Sequence, residues 1–191
     1  KILRIRCNMG NGLGVAFVSK PLPVFKSILD NHEELNYYLK KVILEHREDN
    51  PESNSSNVKA WHSSWHTHLE NKNFQSIQDI VVNACDFISS EYFKCSGLDW
   101  EVKNLWAMMY EDGESTQRHS HFPFDYSSCY YVDVEPDSAP IIFEKDLLTI
   151  QPENGMLLIW PSILEHEVPP TKGKRMGISM NIVNKFKKEK V

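Results

Sequence analysis

Three histidines have the type and spacing to hold a metal. His119 and His121 form an H-x-H pair, and His166 follows 45 residues later. Neutral imidazole is a ligand for iron, copper, nickel and zinc. Two histidines at i and i+2 lie on one face of a strand or fan around a metal at its end. A third from a neighbouring strand completes a facial set with open positions, as a catalytic metal needs. Without that convergence, the same residues are surface or hydrogen-bonded histidines. A rival cluster lies at 61–68, Trp-His-Ser-Ser-Trp-His-Thr-His. If helical, it would put His62 and His66 on one face at i, i+4, but no Glu stands between them as a metalloprotease helix requires. Its two tryptophans and three hydroxyl residues suit a pocket wall or an extended segment.

The elements that must position these side chains fall into two halves. In the first, Asp30 stands three residues before Glu33, a capping-box spacing. Leu35, Tyr38, Leu39, Val42 and Ile43 then recur at helical period, which predicts a helix to about Arg47. Residues 49–60 are polar and rich in breakers and read as a loop. A second helix is expected from about Asn73 to Lys94, with the stripe Ile77, Ile80, Val81, Ala84 and Ile88. From Trp100 onward the pattern changes to short apolar runs at 104–110, 128–134, 140–143, 147–151, 155–160, 163–168 and 175–183. Turn residues separate them, among them Asp112-Gly113 and Pro169-Pro170. Such a series argues an antiparallel sandwich or jelly roll, and helices before strands argue an α+β arrangement with the helices packed on one sheet.

Composition narrows the function classes. With 191 residues, 41% hydrophobic and 25% charged, the chain is globular and long enough to fold without a disulfide or metal. The net charge of −5 supplies no basic field for nucleic acid, and no apolar run reaches the ~18–20 residues of a membrane span. Cys7, Cys85, Cys95 and Cys129 contain no C-x-x-C pair and read as reduced thiols of a cytoplasmic protein. Asn54-Ser55-Ser56 is a formal glycosylation sequon. Residues 1–14 do not read as a signal peptide, since Lys and Arg interrupt them. The basic end, 185–190, reads as a solvated tail. There is no repeat and no domain boundary, so 1–191 is expected to be one domain, with helical support over about 20–98 and a β core over about 100–184.

Taken together, the ordered motifs carry a family resemblance. Tyr110 leads to His119-Ser-His121. Ser127-Ser-Cys-Tyr-Tyr131 follows, then Gly155-Met-Leu-Leu-Ile-Trp-Pro-Ser162, Leu164-Glu-His166 and Lys174-Arg-Met-Gly-Ile-Ser-Met-Asn181. Over about 100–184 this order resembles the double-stranded β-helix core of the iron(II)- and 2-oxoglutarate-dependent oxygenases. The likeness is to the phage and marine-bacterial type and, more distantly, to the prolyl hydroxylases. It implies a mainly β fold of about eight core strands flanked by two N-terminal helices. It implies His119, His121 and His166 as iron ligands, with no catalytic residue beyond them. It also implies Arg175 on the last core strand as the partner of the distal 2-oxoglutarate carboxylate, with Tyr110, Tyr131 and Ser179 lining the cosubstrate pocket. A guanidinium suits that task because it donates two parallel hydrogen bonds; without the resemblance, Arg175 reads as a surface salt-bridge residue. The departure is His121, where most of the superfamily has Asp or Glu. Asp125 is near enough in sequence to be the carboxylate instead, although the H-x-H spacing favours His121.

The reading implied is a dioxygenase that hydroxylates an unidentified protein or small-molecule substrate, with release of succinate and carbon dioxide. A cupin-type three-histidine metalloenzyme would not need Arg175 at the metal. A non-enzymatic jelly roll, such as a capsid or carbohydrate-binding module, would leave the histidines unconverged. The directions of His119, His121, His166 and Arg175 separate the three readings.

Overall fold

The structure is a computed structural model that describes residues 22–52, 57–144 and 146–185. The sequon, the N-terminal segment, Cys7 and nearly all of the basic tail lie outside them.

Among the described residues, three helices and eleven strands follow one another in chain order: β1 (Phe25–Ile28), α1 (His32–Asp49), β2 (Val58–Lys59), β3 (Trp61–His62), α2 (Thr67–Glu70), α3 (Gln75–Phe87), β4 (Asp99–Tyr110), β5 (Ser115–His119), β6 (Tyr126–Val134), β7 (Ile141–Phe143), β8 (Leu148–Ile150), β9 (Met156–Pro161), β10 (His166–Val168) and β11 (Arg175–Lys185). The strands form two antiparallel sheets. The larger has the order β1-β9-β6-β11-β4-β3 and the smaller β2-β5-β10-β7-β8. The fold is the mainly β double-stranded β-helix.

Helix α1 carries Glu33 and Glu34 in its first turn and His46 and Arg47 in its last, which complements the helix dipole. The expected capping box does not form. Asn31, left-handed at φ 54°, occupies the cap position with no side-chain cap bond, so Asp30 lies one residue too early to serve. The second expected helix is a composite. A 3-10 turn (Lys72–Phe74) enters α3, and a π turn (Ile88–Tyr92) continues it.

Both helical stripes pack where the pattern placed them. Leu39, Ile43, Ile77 and Val81 are fully buried against Leu105, Tyr130, Ile178, Met180 and Ile182 on one face of the large sheet. Period-two alternation sends the intervening residues of the same strands to the opposite face. There Cys129, Tyr131, Met156, Leu158 and Trp160 pack with Ile141 and Phe143 of the small sheet. The pocket lies between the sheets, on the side away from the helices.

Four strands lay outside the apolar runs. β5, Ser-Thr-Gln-Arg-His, has no apolar alternation. β2 and β3 are two residues each, and β1 pairs across the chain with β9. β4 starts at Asp99, five residues before the expected run. Its added length comes from pairing with β11, from Arg175 opposite Tyr110 to Lys185 opposite Asp99.

Candidate metal and cosubstrate site

Adjacent strands of the small sheet bring His119 and His166 together. His119 ends β5, His166 begins β10, and they are register partners. His121 lies just beyond β5, where its backbone N–H donates to the Ser162 carbonyl at 2.8 Å. Arg118 donates to both carboxylate oxygens of Glu167 at 2.9 and 3.3 Å, bracing β5 to β10 directly beside the two histidines.

The three imidazoles converge. Their ring centroids are 4.5 Å (His119–His166), 4.8 Å (His119–His121) and 5.1 Å (His121–His166) apart. One potential ligand nitrogen from each lies within 4.8 Å of the others. Metal–imidazole bonds of roughly 2.0–2.1 Å place three nitrogens around one ion about 3.0–3.6 Å apart, so side-chain shifts of up to about an ångström close the set on an ion.

Hydrogen bonds also fix two tautomers. His119 Nδ1 meets the Gln117 carbonyl at 2.8 Å and His166 Nδ1 meets that of Leu164 at 3.2 Å. A carbonyl only accepts, so each Nδ1 carries the hydrogen and each Nε2 keeps its lone pair, the orientation common among metal-bound histidines. Burial lowers the pKa of His119, and burial with the neighbouring imidazoles holds His166 well below the usual range. Burial, then the charges of His119 and His62, brings His121 to about 3. The set is therefore neutral at pH 7, as ligation requires. Asp125 faces elsewhere: its Oδ2 accepts from the Asn184 N–H at 2.8 Å.

Arg175 lines the same pocket and is 4% exposed. Its Nη1 donates to the Ala139 carbonyl at 2.9 Å and its Nη2 to the Tyr131 hydroxyl at 3.3 Å. The guanidinium carbon stands 5.0 Å from the Tyr110 ring centroid and 5.1 Å from that of Tyr131. Burial raises the pKa of both phenols, so they are neutral. Tyr110 donates to or accepts from Thr116. Ser179, on the same face of β11, lines the pocket beside Cys129. Among the described residues no carboxylate forms an ion pair with Arg175. A buried guanidinium lacking a counter-charge is costly, and its donors suit a carboxylate. The residues present thus fit both a metal and a dianion such as 2-oxoglutarate.

The residues 142–182 match a family model described as "Putative 2OG-Fe(II) oxygenase". The fold is shared with a Pseudomonas putida prolyl-4-hydroxylase (TM-score 0.66, 16% identity, covering 86% of this chain and 94% of the other). It is also shared with a Trichoplax adhaerens prolyl hydroxylase solved with a hypoxia inducible factor peptide fragment (0.64, 17%, 83% and 83%). A third is the viral collagen prolyl hydroxylase of Paramecium Bursaria Chlorella virus-1, solved as a 2OG complex (0.59, 15%, 83% and 94%). No curated protein matches by sequence.

The family match over 142–182 and the shared fold both point to similarity with the 2-oxoglutarate/iron(II) oxygenases. Oxygenases of that type are oxidoreductases that use iron(II) and 2-oxoglutarate, the two groups that the histidine set and Arg175 fit. Among the described residues no helix is long and apolar enough to cross a membrane.

Further residues line the pocket: Trp106, which no motif singles out, Trp160 of the Gly155–Ser162 motif, and His62 and Trp65 from the 61–68 segment, whose composition suits a pocket wall or an extended segment. Burial lowers the His62 pKa to about 4. His62 Nε2 and Trp160 Nε1 are buried without a partner. His66 is turned away, within 3.3 Å of Asn104.

Proposed function

We propose that His119, His121 and His166 hold iron(II), that 2-oxoglutarate lies between the metal and Arg175, and that the enzyme hydroxylates an unidentified substrate. The observation that carries this reading is Arg175, a guanidinium buried in the histidine pocket with no carboxylate partner among the described residues. The cupin-type reading has no use for an arginine there.

When bound, the metal and cosubstrate supply the oxidising power, with dioxygen consumed and 2-oxoglutarate converted to succinate and carbon dioxide. The protein's part is positioning. The three neutral imidazoles offer lone pairs without first losing protons. Arg175 forks the distal carboxylate, and Tyr131 takes one of its remaining N–H groups and holds the fork in place. Tyr110 and Tyr131 flank the guanidinium with ring faces that favour the cation. Ser179 offers the cosubstrate a further hydroxyl. Burial of these groups excludes water and strengthens each electrostatic contact. His121 in place of the usual carboxylate leaves the metal site more positive by about one charge. That favours an anionic ligand, the keto acid end of the cosubstrate.

The related fold of enzymes that act on prolyl residues makes a proline-containing peptide the first substrate to try. The test is succinate release from 2-oxoglutarate with iron(II), with and without candidate peptides and small molecules. Iron-dependent succinate that vanishes in Arg175→Ala supports the reading. No 2-oxoglutarate binding to metal-loaded protein overturns it.

A further inference from the structure

The 61–68 segment forms a wall of the pocket distinct from the Arg175 end. Ser63 fastens it to β4: its N–H donates to the Ala107 carbonyl at 3.0 Å, and its Oγ accepts from the Ala107 N–H and the Thr67 hydroxyl, both at 2.8 Å. This anchoring sets His62 opposite Met108, facing inward, with 0% exposure. The imidazole stacks on Trp106 at 5.6 Å and 15° and lies 4.7 Å from the Trp65 ring. Trp65 and Trp106 meet edge-on at 4.5 Å, and Trp106 is 5.5 Å from His121. Trp65 is 36% exposed, so this aromatic corner opens to solvent on one side and adjoins the histidine set on the other.

His62 Nδ1 is bonded to the Ser63 carbonyl. A carbonyl only accepts, so Nδ1 carries the hydrogen and the neutral ring presents Nε2 as an acceptor. Nε2 is buried and has no partner, although the ring lines the pocket. A buried acceptor without a donor carries an unrelieved desolvation cost, which a ligand with a donor removes.

We propose that His62 Nε2 accepts a hydrogen bond from an N–H or O–H group of the primary substrate, while Trp65 and Trp106 wall in the apolar carbon skeleton next to that group. The substrate class is thus an uncharged apolar moiety bearing an adjacent amide or hydroxyl. The proposal rests on the reading of His119, His121 and His166 as the metal site, since that reading makes the adjoining corner the place of the oxidised carbon. His62 is then a specificity-determining residue outside the metal set.

The test uses the full chain loaded with manganese(II) and 2-oxoglutarate, with three probes that share one ring: cyclopentanecarboxamide, cyclopentylmethanol and N,N-dimethylcyclopentanecarboxamide. Binding is read by tryptophan fluorescence, and nearness to the metal by relaxation of the probe protons. Wild type should bind at least one donor-bearing probe about 10-fold more tightly than the dimethyl amide, the scale of one buried hydrogen bond. His62→Phe should erase that preference, His62→Gln should keep part of it through its amide oxygen, and Trp65→Ala should weaken all three probes. Manganese and 2-oxoglutarate affinities should be unchanged in every variant. Equal binding of the three probes by wild type, no saturable binding, or a preference that survives His62→Phe overturns the proposal. The wild-type comparison stands even if a variant fails to fold. Failure of manganese or 2-oxoglutarate to bind wild type is a different result, and it overturns the metal-site reading instead.

Discussion

The two faces of the large sheet are built from the same strands and have opposite characters. Along β11, Met176, Ile178, Met180 and Ile182 are buried on the helix side, while Arg175, Ser179 and Asn181 are buried on the pocket side. The helix side is mainly apolar against apolar, although the Tyr130 hydroxyl donates to Asn36 there and Trp100 Nε1 is buried without a partner. On the pocket side, Asn181 is satisfied internally through Ser127 and Asn104, but Arg175 lacks a counter-charge and His62 Nε2 and Trp160 Nε1 lack partners. One face repays its burial at once. The other leaves polar groups unsatisfied until ligands arrive, so stability and function are separable by strand parity. Substitutions on one face should move melting and leave ligand affinity alone, and those on the other should do the reverse.

The largest effect is expected at His166. His166→Ala removes one of three neutral ligands, and manganese(II) affinity should fall by more than about 100-fold, beyond the loss typical of a supporting residue. Succinate release should drop to background while the metal-free protein melts within a few degrees of wild type. Loss of folding together with metal binding would show that the pocket face also carries the core.

Next is Arg175→Ala. Losing a buried charged pair costs about 2–5 kcal/mol, which is roughly 30-fold to several thousandfold in 2-oxoglutarate affinity. Manganese binding should persist, and Arg175→Lys should recover only part, since an ammonium cannot make the two-pronged contact. A 2-oxoglutarate titration that matches wild type would remove Arg175 from the cosubstrate site.

On the helix face, Leu39→Ala should cost roughly 2–4 kcal/mol in urea unfolding, because Leu39 is 0% exposed and packed between helix and sheet. Both ligand affinities should stay within about twofold. Normal unfolding, or weakened metal binding, would break the separation between the faces.

The helix face was legible because a helical period is local: the stripe Leu35, Leu39, Val42 and Ile43 needs only its own segment. The pocket face was legible only through the family resemblance, since by itself Arg175 reads as a surface salt-bridge residue. What escaped depends on distant partners. β5 carries no apolar alternation and is a strand because β10 and β2 pair with it. β3 is two residues long and owes its place to β4. His62 therefore had no periodic signal, and a free Nε2 follows only from where its Nδ1 hydrogen goes. The Asp30 capping box failed for the opposite reason: a local motif was displaced by one residue when Asn31 adopted φ 54°.

A smaller effect concerns pH in the metal-free protein. His62 and His121 have folded pKa values of about 4 and about 3, below the 6.5 of an unfolded imidazole. Above pH 6.5 neither state takes a proton at these rings, so stability is fully present and flat. Between pH 6.5 and about 4 only the unfolded chain protonates, so stability falls as pH falls, with a limiting slope of about 1.4 kcal/mol per pH unit per histidine. His62→Phe should reduce that slope by about one histidine's share in chemical unfolding followed across this window. A slope unchanged by the substitution would mean that His62 is charged when folded.

The smallest effect is expected at Asp125, and it tests which side chain stands where most of the superfamily has a carboxylate. His121 is drawn inward by its N–H bond to the Ser162 carbonyl, and its ring meets those of His119 and His166. Asp125 is exposed and turned toward the far part of β11, where its Oδ2 accepts from Asn184. Its backbone joins the same strand through Ile182. In Asp125→Asn the side-chain oxygen can still accept from Asn184, so stability should change by less than about 1 kcal/mol. Manganese affinity should stay within about twofold, whereas His121→Ala should lower it strongly. His121→Asp recreates the commoner H-x-D pattern and neutralises about one unit of positive charge at the site. It should retain metal while weakening the preference for the dianionic cosubstrate, because the extra positive charge that His121 leaves on the metal is then gone. If Asp125→Asn loses the metal and His121→Ala keeps it, the carboxylate reaches the ion by a rearrangement of the loop after His121, and the three-histidine set is wrong.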